Sequence, residues 1–143
     1  MQLLAKFSLE TKEDLGLAYT PGVAMPCRKL YNKDKRKVYD YTIKGNLVAV
    51  VTDGTAILGL GNIGFEAALP VMEGKAVLFK HFAGVDAILI CLATTNVYQI
   101  VETVLRIALT FGGINLEDIV SPNCFEVEKR LKEALDISVF RND

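Results

Sequence analysis

Residues 47–54 read LVAVVTDG, a run of Leu47, Val48, Ala49, Val50, Val51 and Thr52 that ends in Asp53-Gly54. An apolar, β-branched run closed by a turn dipeptide reads as a buried strand. Working outward, Ala76–Lys80 (AVLFK), Asp86–Cys91 (DAILIC) and Ile137–Phe140 read as further short strands. Glu66–Met72 predicts a short helix, with Pro70 disturbing its last turn. Over Asn96–Leu109, the residues Val97, Ile100, Val101, Val104, Leu105 and Ala108 fall on one helical stripe, and Asn96 caps it. Gly112-Gly113 breaks the chain ahead of Ile114–Ile119. Ser121-Pro122-Asn123 supplies a cap and turn before a helix over Cys124–Leu135, where Phe125, Val127, Leu131, Ala134 and Leu135 are helically spaced. Strands alternating with helices predict an α/β fold, a single domain with a mostly parallel sheet flanked by helices. Ligands of such sheets gather beyond the carboxyl ends of the strands. This reading puts Asp53, Lys80, Glu117, Asp118 and Asp143 there.

Composition narrows the function. The 143 residues are 51% apolar, which argues against disorder. Sixteen basic and seventeen acidic side chains nearly cancel, leaving no electrostatic footprint for nucleic acid. The one basic cluster, Lys33–Lys37 (KDKRK), reads as a solvated loop or helix end. The longest apolar runs fall far short of the roughly 20 residues that a membrane span needs. The opening MQLLAKFSLE lacks the basic region of a signal peptide. Cys27, Cys91 and Cys124 are odd in number and far apart, and read as buried thiols in a reducing cytoplasm.

One motif invites a nucleotide. Gly59-Leu60-Gly61-Asn62-Ile63-Gly64 matches G-x-G-x-x-G, whose backbone amides would hold a pyrophosphate at a helix N-terminus. Against this, Ala56-Ile57-Leu58 separates the glycines from the preceding turn. Where a ribose-binding acid is expected the chain has Lys80-His81, although a basic pair would suit a 2′-phosphate. Direct nucleotide binding and tight structural packing both stay open on the residues alone.

Four segments taken together resemble one family. They are LAYTPGVAMPC (Leu17–Cys27), TDGTAILGLGNIG (Thr52–Gly64), PVMEGKAVLFKHFAG (Pro70–Gly84) and TFGGINLEDI (Thr110–Ile119). In this order and spacing they resemble the N-terminal, substrate-side domain of the small-subunit bacterial type of malic enzyme, from about Thr11 to Asp143. That family oxidises malate at C2, decarboxylates the product and protonates the enolate of pyruvate, using a divalent metal and NAD or NADP. The resemblance makes residues 1–143 the substrate and metal side, with the NAD(P)-binding domain absent and bound cofactor mainly that domain's business. It also places the LGLGNIG segment in packing rather than in cofactor binding.

Read singly, Tyr19 is a half-buried phenol held by the Pro21-Gly22 turn, Lys75 a lysine entering a strand, and Glu117-Asp118 a surface acidic pair. The resemblance gives each a role. Tyr19 becomes the general acid for the enolate. Lys75 becomes the base for the malate hydroxyl, or a proton relay to Tyr19, and burial would lower its pKa toward that task. Glu117, Asp118 and Asp143 become ligands of Mg²⁺ or Mn²⁺, hard cations that prefer oxygen. A homodimer is expected by the same analogy. The chain departs from the pattern at Val139-Phe140-Arg141-Asn142-Asp143, where the family reads Val-Phe-His-Asp-Asp, and at Phe65 and Ala93. Asn142 thus replaces an acid that assists the lysine. With no second dinucleotide fold in 143 residues, the isolated chain is expected to show no malate-dependent reduction of NAD or NADP. Two other readings compete: a small dinucleotide-binding module built on Gly59–Gly64, and a non-catalytic dimerisation domain.

Overall fold

A computed structural model describes residues 1–142, so Asp143 lies outside the described residues. The chain forms two compact units, Met1–Thr42 and the residues from Ile43 onward. The first holds three short helices, α1 (Lys12–Ala18), α2 (Ala24–Asn32) and α3 (Val38–Tyr41). A capping box starts α1: Asp14 N–H donates to Thr11 Oγ1 at 3.1 Å, and Thr11 N–H to Asp14 Oδ2 at 3.0 Å. Between α1 and α2 the chain turns so tightly that a Cβ on Gly22 would stand 2.3 Å from the Leu17 carbonyl oxygen. Only glycine fits there. The KDKRK cluster is exposed and forms a single 3₁₀ turn over Lys35–Lys37, as a solvated segment should.

The second unit is built on β1 (Leu47–Thr52), α4 (Leu69–Leu78), β2 (Asp86–Cys91), α5 (Val97–Ile107), β3 (Gly113–Leu116), α6 (Asn123–Ala134) and β4 (Ser138–Arg141). The four strands are all parallel, in the order β2-β1-β3-β4. The central strand β1 is apolar from Leu47 to Val51 because both its faces are covered. Leu47, Ala49 and Val51 pack with Ile114, Leu116 and Val139 beneath α5 and α6, which contribute Ile100, Val104, Val127 and Leu131. Val50 and Ala87 face the other way, onto Met72 and Ala76 of α4. The α5 stripe and its Asn96 cap form as expected, with Asn96 Oδ1 accepting from Gln99 N–H at 3.2 Å. The second helix also forms as expected, one residue earlier than its sequence signals.

The expected strand at Ala76–Lys80 is helix instead. Helix α4 runs through Leu78 and continues as a π turn over Phe79–Ala83. Two features explain the difference. Pro70 lies in the first turn of this helix, where its missing N–H has no partner to lose. Ala68, Met72 and Ala76 then recur every four residues and form the buried stripe, an order that a short apolar run cannot distinguish from a strand. Lys80 consequently belongs to the opposite end of the strands from Asp53. Its Nζ lies 2.9 Å from Asp86 Oδ1, at the amino end of β2. The cysteines are also not uniformly buried: Cys124 is, Cys91 is partly covered and Cys27 is exposed.

Candidate active site

Strand order determines where a ligand can sit. From β1 the chain passes to α4 on one face of the sheet, and from β3 it passes to α6 on the other. Adjacent strands whose connections diverge leave a crevice at their carboxyl ends. Asp53 follows β1 there, Glu117 and Asp118 follow β3, and Asn142 follows β4. The ladder continues past the strands, with Glu117 N–H donating to Val51 O at 2.8 Å and Asn142 N–H to Leu116 O at 3.3 Å.

Glu117 is the most enclosed of these groups. Lys75, from α4, brings its Nζ to 3.0 Å from Glu117 Oε1. Asn115 Nδ2 donates to Oε2 at 2.9 Å, and Asn142 Nδ2 reaches the same oxygen at 3.4 Å. A carboxylate with 8% of its side-chain surface exposed needs such company, because burying an unpaired charge is costly. Lys75 therefore enters the site from a helix and not, as its expected context implied, from the start of a strand.

Asp118 has a different environment. Its backbone is left-handed, φ 52°, a conformation that costs a non-glycine residue about 1–2 kcal/mol. Its carbonyl accepts from Ala56 N–H at 3.0 Å. Its Oδ2 is buried without a hydrogen-bond partner among the described residues, as are Asp53 Oδ2 and Asn115 Oδ1. Burial pushes the Asp118 carboxyl above its ordinary range, neighbouring Glu117 adds to the rise, and Lys75 opposes it. Burial likewise raises Asp53, against two bonds from Thr55 to its Oδ1.

These orphaned atoms are all oxygens that accept, and two belong to carboxylates. Such a set suits a hard cation, which takes carboxylate and carbonyl oxygens. Glu117 and Asp118 are the ligands on offer from the expected trio; Asp143, the third, lies outside the described residues. Among the described residues no three His, Cys, Asp or Glu side chains already converge as a ready-made metal cage. An open cleft of about 270 Å³ adjoins the site, bordered by Ala56, Asp118, Phe125, Arg141 and Asn142. The Arg141 guanidinium lies over the Phe125 ring at 4.3 Å and contacts Glu128 at 3.2 Å.

Tyr19 stands in the first unit, at the C-cap of α1, with its side chain exposed. The structure thus brings Lys75 and Glu117 into contact with Asp118 next in the chain, while Tyr19 belongs to the other unit. Asn115 was not among the expected site residues. The signal for it was the alternation of a strand, which puts residues 115 and 117 on one face.

The glycine motif does not form the strand–glycine–helix junction of a nucleotide site. Ile57 and Gly61 pair in an antiparallel bridge, and α4 begins only at Leu69. The loop packs back on the turn after β1 instead: a Cβ on Gly54, φ 72°, would lie 2.6 Å from the Gly64 carbonyl oxygen.

A parallel sheet covered by helices on both faces, with the Lys75–Glu117 pair at its carboxyl end, defines an α/β domain of the doubly wound class. The chain belongs to the malic enzyme family: the malic enzyme N-terminal domain matches residues 1–132. It is 64% identical over 139 residues to the bifunctional malic/malolactic enzyme of Bacillus subtilis (strain 168), covering 97% of this chain and 34% of that protein. It is 60% identical over 139 residues to the NAD-dependent malic enzyme of Geobacillus stearothermophilus, again over 97% of this chain and over 29% of the relative. The crystal structure of malic enzyme from Pyrococcus horikoshii Ot3 superposes with a TM-score of 0.95 at 59% identity, over 99% of this chain and 32% of that one. The chain thus spans about a third of the length of these three proteins.

Proposed function

We propose that residues 1–143 form the substrate- and metal-side domain of a malic enzyme. The reaction is the metal-dependent oxidative decarboxylation of malate to pyruvate and CO₂ with reduction of NAD or NADP. The observation that carries this reading is the Lys75–Glu117 contact of 3.0 Å at the sheet crevice, beside an Asp118 carboxyl oxygen left without a partner. Glu117, Asp118 and, from the sequence, Asp143 would hold Mg²⁺ or Mn²⁺, which when bound supplies Lewis-acid polarisation of the substrate oxygen. Lys75 accepts the proton of the C2 hydroxyl, and Tyr19 donates a proton to the enolate carbon. Asn142 and Asn115 keep Glu117 oriented by donating to its Oε2. The nicotinamide cofactor is bound mainly by a further domain, for which the relatives have twice again this chain's length or more.

The working unit is a homodimer in this reading. Its support is the first unit, where no residue of 1–42 is buried while Leu3, Leu4, Leu17, Met25 and Tyr31 are each exposed. Exposed apolar side chains grouped within one short unit suit an interaction surface. An exposed Cys27 thiol suits a reducing compartment such as the cytoplasm. No helix among the described residues is long and apolar enough to cross a membrane.

The test is Mn²⁺ binding to this chain, followed by the electron paramagnetic resonance of the free ion. Saturable binding that malate strengthens and that Glu117→Gln abolishes is the expected result. A chain that takes up no Mn²⁺, with or without malate, would overturn the proposal.

A further inference from the structure

The TDGTA segment at the end of β1 has no part in the chemistry above, yet it holds the chain at Asp118 and just beyond it through two hydrogen bonds. Ala56 N–H donates to the Asp118 carbonyl at 3.0 Å. Two residues further on, Val120 N–H donates to Thr55 Oγ1 at 2.9 Å. The Thr55 hydroxyl in turn donates to Asp53 Oδ1 at 2.5 Å, and Thr55 N–H reaches the same oxygen at 3.1 Å. A hydroxyl has one proton to give. With that proton committed to Asp53, the Thr55 oxygen is left as an acceptor and the direction of the Val120 bond is determined. Asp53 is itself 1% exposed, so water does not compete for it.

The first held position is Asp118 itself, whose backbone lies in the left-handed region that side chains ordinarily avoid. Its buried Oδ2 has no hydrogen-bond partner among the described residues. The conformation is imposed from outside, by a turn more than sixty residues earlier in the chain. The glycine loop then braces that turn, through the close approach of Gly64 to Gly54.

We propose that Thr55, oriented by Asp53, is a positioning residue that aims the Asp118 carboxylate at the cation. This rests on the reading of Asp118 as a metal ligand. The TDGTAILGLGNIG motif is, on this account, one device: the glycines brace the turn, the turn orients Thr55, and Thr55 sets Asp118.

The experiment compares Thr55→Val, Thr55→Ser and Asp118→Asn with the parent chain. Mn²⁺ affinity is measured by paramagnetic resonance at a temperature where each variant is fully folded. Amide hydrogen exchange at Ala56 and Val120 is followed in the parent with and without Mn²⁺. The expected result is at least tenfold weaker Mn²⁺ binding in Thr55→Val, recovery to within about twofold in Thr55→Ser, and slower exchange at both amides once Mn²⁺ is bound. A merely structural Thr55 would lower the melting temperature and leave Mn²⁺ affinity alone, and that outcome overturns the proposal. So does failure of serine to rescue. If Thr55→Val does not fold, the exchange measurement decides, since amides that ignore Mn²⁺ are incompatible with the proposal. Loss of binding in Asp118→Asn alongside normal binding in Thr55→Val defeats this inference only. Normal binding in Asp118→Asn defeats the ligand reading beneath it, and this inference with it.

Discussion

Lys75 Nζ stands 3.0 Å from Glu117 Oε1, tying α4 to the carboxyl end of β3. The two residues are 42 positions apart, and each is sheltered: the lysine side chain is 22% exposed, the glutamate 8%. The ion pair is thus positioned where two faces of the sheet give way to a crevice. It compensates a buried carboxylate and, in the same contact, fixes the position of the lysine to which the proposal gives the role of base.

Removing the lysine should be costly to folding as well as to activity. Lys75→Ala leaves Glu117 with only amide donors, and loss of one partner of a buried pair costs about 3–5 kcal/mol. Urea denaturation should show a loss near the lower end of that range, because Lys75 is partly solvated. Adding Glu117→Gln should recover part of it. A double variant as unstable as the sum of the singles would mean that the pair is not coupled.

The re-assigned helix has its own test. Met72 is fully buried against β1 on the α4 face. Met72→Ala should cost about 2–5 kcal/mol through lost burial and a cavity. Were residues 76–80 a strand, Lys80 rather than Lys75 would face the crevice, and Lys80→Ala would match Lys75→Ala in urea. The expectation is that Lys80→Ala, an exposed pair with Asp86, changes stability by about 1 kcal/mol or less.

Stability should depend on pH through Asp53. Burial raises its folded carboxyl above the ordinary value of 3.8. The folded state therefore holds the proton over a range where the unfolded chain has lost it. Stability from this group is fully present below 3.8, and falls as pH rises through the raised folded value. Asp53→Asn removes that dependence and keeps an acceptor for Thr55. The difference in unfolding free energy between parent and variant, measured from pH 3.5 to 7, should move against the parent as pH rises. A flat difference would count against the shift.

Two glycines of the same motif should respond unequally to alanine. At Gly54 a Cβ meets the Gly64 carbonyl at 2.6 Å and the backbone is left-handed, so Gly54→Ala should lose about 2–5 kcal/mol, the left-handed cost plus that of the clash. Gly59 is also left-handed, but nothing lies within 4 Å of its Cβ position, so Gly59→Ala should lose only about 1–2 kcal/mol. Thermal unfolding of the pair distinguishes them. Equal losses would mean that the close approach at Gly54 relaxes freely.

The sequence by itself determined the elements whose signals are local. Strand β1 was legible because Leu47–Thr52 is apolar without a break, and α5 because its stripe and Asn96 cap agree. The family was legible from four short motifs, and with it the nomination of Lys75, Glu117 and Asp118. The start of helix α4 was legible within the short helix expected over Glu66–Met72, but its continuation to Leu78 was not, since AVLF is too short an apolar run to favour either period, and Pro70 is as compatible with a helix start as with an interruption. Tertiary structure alone decided that Lys75 reaches Glu117 from a helix, that Asn115 and Asn142 meet on one carboxylate oxygen, and that Thr55 holds Val120. Apart from Asn115, two residues from Glu117, these partners are distant in the chain and meet because parallel strand pairing brings them to one crevice. No local pattern encodes such a meeting, because the register of the sheet, and not the neighbouring residues, sets which side chains share the crevice.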